Sequence, residues 1–187
     1  MARGLRQLTR RRLTPAQTQQ IFNRFKDMDD RTCAVILGAM LDHSLERLVL
    51  LNMRPLEKNV REQLFSGTGP LSSFSSKIRV AAGFGIIGGQ IAHDLEALNE
   101  IRNAFAHSSH QVTFRKRLVS ARIETLHIGP VVNMLMRALR GPAARFFTGT
   151  RGHFLLGGIG LVKLMDDARM NKRPKRLECL VHGMDEQ

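Results

Sequence analysis

Residues 90–107 decide the fold, and they read QIAHDLEALNEIRNAFAH. Ile91, Leu95, Leu98 and Phe105 follow one another at steps of four, three and seven residues, which is the spacing of one face of an α-helix. No segment of the chain alternates apolar and polar residues convincingly with the two-residue period of a strand. The sequence therefore predicts an all-α protein in which this helix buries one face.

Helical spacing also extends to both sides of this stretch. Further helices are predicted over residues 14–28, 31–53, 55–65, 72–84, 116–127, 130–140 and 153–170. A chain of 187 residues suits one domain. We therefore expect a single bundle of about seven helices, formed by residues 13–170.

Positive charge is concentrated in the two flanks of the chain. The sequence holds 29 Lys and Arg against 16 Asp and Glu, whereas residues 29–107 hold eight basic and nine acidic residues. We expect residues 1–12 to form a disordered basic arm and residues 171–187 a mobile basic tail. Such flanks attract polyanions such as nucleic acid, unless they are merely solvated tails. The candidate nucleic-acid-binding residues are Arg10, Arg11, Arg12, Lys172, Arg173, Lys175 and Arg176.

Several classes of protein are disfavoured by the composition. Cys33 and Cys179 lie far apart and form no CxxC spacing, so we predict neither a zinc motif nor a disulfide framework, and we expect a cytoplasmic location. The apolar run at residues 154–165 is short and glycine-rich, which predicts a buried helix rather than a membrane span. We expect no metal and no cofactor, since no pair of histidines four residues apart has carboxylate ligands nearby. His93 and Asp94 are interpreted as helix surface.

The densest polar group lies near the end of the helix quoted first. Arg102 falls beside the apolar stripe, and Asn103 and His107 lie one turn apart on its flank. In a structural interpretation, Arg102 is buried and pairs with a carboxylate, while Asn103 and His107 cap neighbouring backbone. The best candidate is Asp42, which borders the apolar face of residues 31–53, although another carboxylate would also serve. In a chemical interpretation, Arg102 stabilises the charge of a phosphodiester and His107 moves protons. Physical chemistry alone favours the structural interpretation.

A glycine-rich loop, Ser66-Gly67-Thr68-Gly69-Pro70, follows one of the helical patterns. Its exposed N–H groups, together with the serine hydroxyls that come after it, would suit an anion. The alternative, which we favour, is a tight connection in which Ser72 or Ser73 caps the next helix.

Two resemblances to known families begin from these residues. Arg102-Asn103, followed after three residues by His107, resembles the R-N-x-x-x-H motif of HEPN ribonucleases. That resemblance implies an all-helical domain in which the Arg and the His act at a dimer interface. The reaction it implies is metal-independent cleavage of RNA.

A longer match, in order along residues 30–110, resembles the mannitol operon repressor family. It consists of Leu64-Phe65-Ser66-Gly67, residues 69–78 (GPLSSFSSKI), Gly85-Ile86-Ile87, His93-Asp94-Leu95 and residues 101–108 (IRNAFAHS), with residues 34–42 (AVILGAMLD) and Leu45-Glu46 upstream. Beyond Phe114 the match weakens, because Arg115-Lys116-Arg117 stands where the family has an acidic, proline-containing stretch. The resemblance implies a helical bacterial regulator without an evident helix-turn-helix.

Three functions follow in order of preference. The first is a transcriptional regulator that acts mainly through a protein partner, is compatible with a homodimer, and uses Asp42, Arg102, Asn103 and His107 as a structural polar cluster. The second is a HEPN-type endoribonuclease with Arg102, Asn103 and His107 as its catalytic residues. The third is a basic module whose flanks bind nucleic acid without sequence preference.

Overall fold

Six helices with defined bounds make up most of the described structure. The structure is a computed structural model, and it describes residues 23–129 and 147–170. In chain order, the helices are α1 (Asp30–Asn52), α2 (Lys58–Phe65), α3 (Phe74–Gly83), α4 (Gly89–His107), α5 (Arg117–Glu124) and α6 (Gly149–Met170). Residues 23–26 are also helical, and no strand occurs in the described ranges. The predicted all-α fold is therefore confirmed.

Some of the predictions fall on residues outside the described ranges. These are the basic arm at residues 1–12, most of the helix predicted over 14–28, the helix over 130–140 and the tail at 171–187. None of the described helices combines the length and the hydropathy that a membrane crossing requires.

α1 is the helix around which the others pack. It contacts α3, α4 and α6, and side chains along its inner face, such as Leu37, Leu41 and Leu45, are fully buried. The four apolar residues of α4 that the sequence assigns to one face are buried as well. Removing these faces from water is the main favourable contribution to the stability of such a bundle.

Polar side chains fix where two of these helices begin. Asp29 accepts a hydrogen bond of 3.0 Å from the Thr32 backbone N–H, and Ser73 accepts one of 3.1 Å from the Ser76 backbone N–H. Each bond satisfies a donor that the first helical turn leaves without an intrahelical partner. The predicted capping of the helix after the glycine-rich loop is thus confirmed, and Ser73 is the cap of α3.

Arg151 fastens the start of α6 to the start of α1. Its guanidinium lies 3.2 Å from Asp30 Oδ1 and donates a hydrogen bond of 2.8 Å to the carbonyl oxygen of Phe25. Asp30 Oδ2 also accepts a bond of 3.1 Å from the Phe114 backbone N–H, so one carboxylate joins three segments. Burial raises the pKa of the neighbouring Cys33 thiol, which favours its neutral, unreactive form.

Two glycines let α6 approach its neighbours closely. A Cβ atom on Gly158 would overlap the Leu37 side chain of α1, and one on Gly157 would overlap Ile128. The requirement at both positions is for space, because neither glycine has a positive φ. The glycine-rich run therefore belongs to a packed helix, and the prediction of a buried helix over residues 154–165 is confirmed.

Replacing Gly158 with valine should destabilise the fold, because the added isopropyl group must displace Leu37 from a close-packed core. Overpacking of this kind costs about 1–3 kcal/mol, which a lower urea midpoint would reveal. Gly83→Ala is the matched control: nothing lies within 4 Å of a Cβ atom there, and alanine suits a helix better than glycine. Equal midpoints for Gly158→Val and the wild type would contradict the close approach of α1 and α6.

Candidate functional site

A polar cleft of about 310 Å³ opens where α1, the start of α3 and α4 meet. Asp42, Arg102 and Asn103, three of the four residues predicted to cluster, line it. His107 lies one helical turn beyond Asn103, is exposed, and is not among the lining residues. The other lining residues are Gly38, Ser72, Ser73, Phe74, Ser75 and Asn99. α4 thus brings the arginine and the asparagine to the cleft, but not the histidine.

Gly38 allows the Arg102 side chain to lie across α1. A Cβ atom at Gly38 would stand 2.5 Å from Arg102 Cγ and 3.0 Å from Arg102 Cβ, well inside the optimal separation of two carbon atoms. Because glycine is there, the methylene groups of Arg102 pack directly on the α1 backbone. The guanidinium then reaches the cleft, where Nη1 donates a hydrogen bond of 2.8 Å to Asn103 Oδ1.

The predicted pairing of Arg102 with Asp42 is wrong. Lys77 Nζ of α3 lies 2.7 Å from Asp42 Oδ1 and 3.1 Å from Glu46 Oε2. Lys77 is only 3% exposed, and a buried ammonium group requires such partners. Helical spacing indicated that Asp42 and Arg102 border the core, but it could not show that Lys77 of α3 would form the ion pair with Asp42.

Arg102 consequently has no acidic partner among the described residues. Glu46 pairs with Arg61 at 3.1 Å as well as with Lys77, so the two acids of α1 nearest the cleft, Asp42 and Glu46, are matched by two other cations. Arg102 is partly buried, and an arginine stays charged at any ordinary pH. The cleft therefore has an uncompensated positive charge on its α4 wall.

Asn99 links α4 to the start of α3 and faces the same cleft. It is 6% exposed, and its Nδ2 donates a hydrogen bond of 2.9 Å to Ser75 Oγ. The other half of its amide has no hydrogen-bond partner within the described ranges. That side-chain oxygen is not one of the fully buried atoms that lack a partner, so solvent reaches it, and an occupant of the cleft could donate a hydrogen bond to it.

Asn103 and His107 do not cap the end of α4, which corrects the structural interpretation of these residues. The carbonyl oxygen of Ala106 instead accepts a hydrogen bond of 2.8 Å from Arg31 Nη2. Asn103 is engaged by Arg102, and His107 makes no hydrogen bond to the part of the chain that is described. The His107 imidazole is exposed and therefore accessible to solvent and to any ligand.

A second polar cluster consists of His93, Asp94 and His127. Asp94 is 1% exposed, and both of its carboxylate oxygens accept the His127 backbone N–H, at 2.9 and 3.1 Å. Nδ1 of His127 and Nδ1 of His93 lie 3.0 and 3.3 Å from Asp94 Oδ1. The surface interpretation is therefore wrong for Asp94, because the segment after α5 folds back over α4 and buries it.

The side chains of this cluster could bind a metal ion, but the same donor atoms already form hydrogen bonds within the protein. The three candidate ligand atoms lie within 4.8 Å of one another, and two histidines with one carboxylate are typical of transition-metal sites. Arg122 Nη1 is 3.3 Å from His93 Nε2. Because arginine only donates, Nε2 must accept, and the ring proton of a neutral His93 lies on Nδ1, toward Asp94. The cluster thus holds the segment after α5 against α4.

The residues predicted to bind nucleic acid all lie outside the described ranges. They are Arg10, Arg11, Arg12, Lys172, Arg173, Lys175 and Arg176. Binding of nucleic acid through these flanks stays a prediction.

Comparison with known protein families identifies one family that matches this chain. A family model described as Mannitol repressor matches residues 21–145, two thirds of the chain. The matched region contains α1 to α5 and the whole cleft, and it continues past Phe114, beyond which the resemblance in the quoted motifs weakens. No curated protein and no solved structure matches the chain.

Lys77→Met should destabilise the protein more than Arg102→Met, because it leaves Asp42 and Glu46 without their shared cation. Breaking a buried ion pair costs about 3–5 kcal/mol, and the partial exposure of both carboxylates reduces this to about 2–3 kcal/mol. Arg102→Met keeps the methylene groups over Gly38, so we expect a change below about 1 kcal/mol. Urea midpoints measure both effects, and a larger loss for Arg102→Met would contradict the assignment of Lys77 as the structural cation.

Proposed function

The chain belongs to the mannitol repressor family, and we propose that it is a transcriptional regulator that acts mainly through contacts with other proteins. The family match over residues 21–145 carries this proposal. Residues 29–107, which include the cleft, hold eight basic and nine acidic residues. They have no excess of positive charge to attract the DNA backbone. We therefore propose that this central part contacts a DNA-binding partner, which recognises the promoter, and that any affinity of this chain for nucleic acid lies in its basic flanks.

Two exposed apolar side chains supply anchors for such a contact. Phe84 is 79% exposed and Leu118 is 87% exposed, whereas side chains of this kind are among those most often buried. Phe84 stands between Gly83 and Gly85, and the φ of 65° at Gly85 suits a turn that presents the ring at the end of α3. Large side chains that become buried on association dominate the energetics of protein interfaces.

A metal-independent ribonuclease is a second candidate, and one observation favours it. Arg102 has no carboxylate partner in the described part of the chain, so its charge is available to stabilise a phosphate. His107 is exposed on the same helix, and an imidazole transfers protons near neutral pH. The regulator is nevertheless preferred, because the family match covers two thirds of the chain, whereas the ribonuclease rests on a short motif whose His107 lies outside the cleft that Arg102 lines.

Deleting the gene should change transcription of sugar-alcohol uptake genes in the host, and the wild-type chain should restore it. Phe84→Ser should fail to restore it, because the variant loses an anchor for the partner while an exposed substitution leaves the fold intact. Gln90→Ser, also at an exposed position, is the control and should restore regulation. Full regulation by Phe84→Ser would contradict the role of this surface, and an unchanged transcript profile after deletion would contradict the regulator.

Purified protein should not cleave a structured RNA in EDTA, because Arg102 and His107 do not line one site in a single chain. Electrophoresis of the RNA, with end-group analysis, measures the reaction for the wild type and for His107→Ala. A contaminating nuclease would act equally in both samples. Cleavage by the wild type that leaves 2′,3′-cyclic phosphate ends and disappears in His107→Ala would replace the regulator with the ribonuclease.

A further inference from the structure

The cleft beside Arg102 has the properties of a small-molecule site, and it is separate from the exposed side chains proposed above to contact a partner. Its volume of about 310 Å³ falls at the lower end of the roughly 300–1,000 Å³ of ligand pockets. We propose that it binds a small polyhydroxylated phosphate ester, with Arg102 on the phosphate and the neutral polar groups of the cleft on the hydroxyls. This inference rests on the proposed function only in treating the ligand as an effector of a regulator.

Arg102 is the group that selects an anion. One of its five N–H donors serves Asn103, and the others have no partner among the residues described. A guanidinium presents two parallel N–H groups that match two oxygens of a phosphate. Gly38 holds the methylene groups of the side chain in place before any ligand arrives, which lowers the entropy lost on binding.

The rest of the lining suits hydroxyl groups. The Asn99 side-chain oxygen, the Asn103 side-chain nitrogen and the Ser72 hydroxyl have no hydrogen-bond partner within the described residues. Amide and hydroxyl groups can donate to a sugar hydroxyl or accept from it. Phe74 is the one apolar side chain among the lining residues, so the cleft offers little to a hydrophobic ligand.

The carboxylate of Asp42 does not oppose this ligand. Lys77 Nζ lies 2.7 Å from it and neutralises its charge from the buried side, while the carboxylate remains one-third exposed. In that position Asp42 accepts hydrogen bonds from hydroxyls without adding an unbalanced negative charge. The charge that remains in the cleft is that of Arg102, which is complementary to a phosphate.

Calorimetric titration of the full chain tests the proposal, with sorbitol 6-phosphate, sorbitol and inorganic phosphate as probes at equal ionic strength. Sorbitol 6-phosphate should bind one site, and each of the other two should bind about tenfold more weakly or worse, because each supplies only part of the contacts. Inorganic phosphate that binds as tightly as the ester would overturn the assignment of the hydroxyl groups. No detectable binding of sorbitol 6-phosphate would overturn the site.

Three variants locate the binding. Arg102→Met should weaken it about tenfold or more, whereas Arg115→Met, which removes an exposed arginine outside the cleft, should not. Gly38→Ala keeps Arg102 but forces its side chain out of the slot, so it should weaken binding in the wild type and change nothing further in Arg102→Met. Equal losses for Arg102→Met and Arg115→Met would mean that phosphate binds the basic flanks, and would overturn the proposal.

The outcome is separable from that of the transcription experiment. Ligand binding is measured on the isolated chain and depends on Arg102, while regulation is measured in the host and depends on Phe84. Loss of ligand binding with intact regulation would remove the effector and keep the regulator. Ligand binding without any effect of gene deletion on transcription would keep the ligand site and contradict the proposed regulator.

Discussion

The close contacts of Leu37 and Gly38 on α1 set how tightly this bundle can close. Leu37 fills the space that Gly158 leaves on α6, and Gly38 receives the Arg102 side chain from α4. Successive residues of a helix point about 100° apart, so two neighbouring residues serve two different helix contacts. The distance between packed helices depends on the side chains at the contact. Because each contact has a glycine on one side, α4 and α6 can both pack closely against α1.

The positive charge in the cleft remains because Lys77 of α3, and not Arg102, pairs with the carboxylates of α1. Burying an ammonium group is costly unless carboxylates surround it, and Asp42 and Glu46, one helical turn apart, supply two. Because those acids serve Lys77, the nearby Arg102 is left without an acidic partner among the described residues. The ion pairs of Lys77 stabilise the fold, while Arg102 beside them is the cation on which the proposed ligand site depends.

Sequence patterns predicted the structural features that depend on residues close together in the chain. The apolar face of α4 and the serine cap of α3 were predictable, since helical periodicity and capping act over a few residues. The partner of Asp42 and the burial of Asp94 were not, because Lys77 and His127 come from 35 and 33 residues away. Periodicity indicates which face of a helix is buried, but not which side chain of another helix meets it.

α3 connects the two surfaces on which the proposed functions depend. Its first residues border the cleft, and Phe84 follows its last residue. Ten helical residues span about 15 Å, so a rigid-body shift of α3 would displace both of its ends. A ligand that shifted α3 through Ser72, Ser73 or Ser75 would therefore also shift the Phe84 ring. Any such coupling must be reciprocal, since a partner that favours one position of α3 changes the affinity of the cleft by the same factor. In the proposed arrangement, an effector site and a partner surface lie at opposite ends of one short helix, and coupling between them would allow regulation without a DNA-binding motif in this chain.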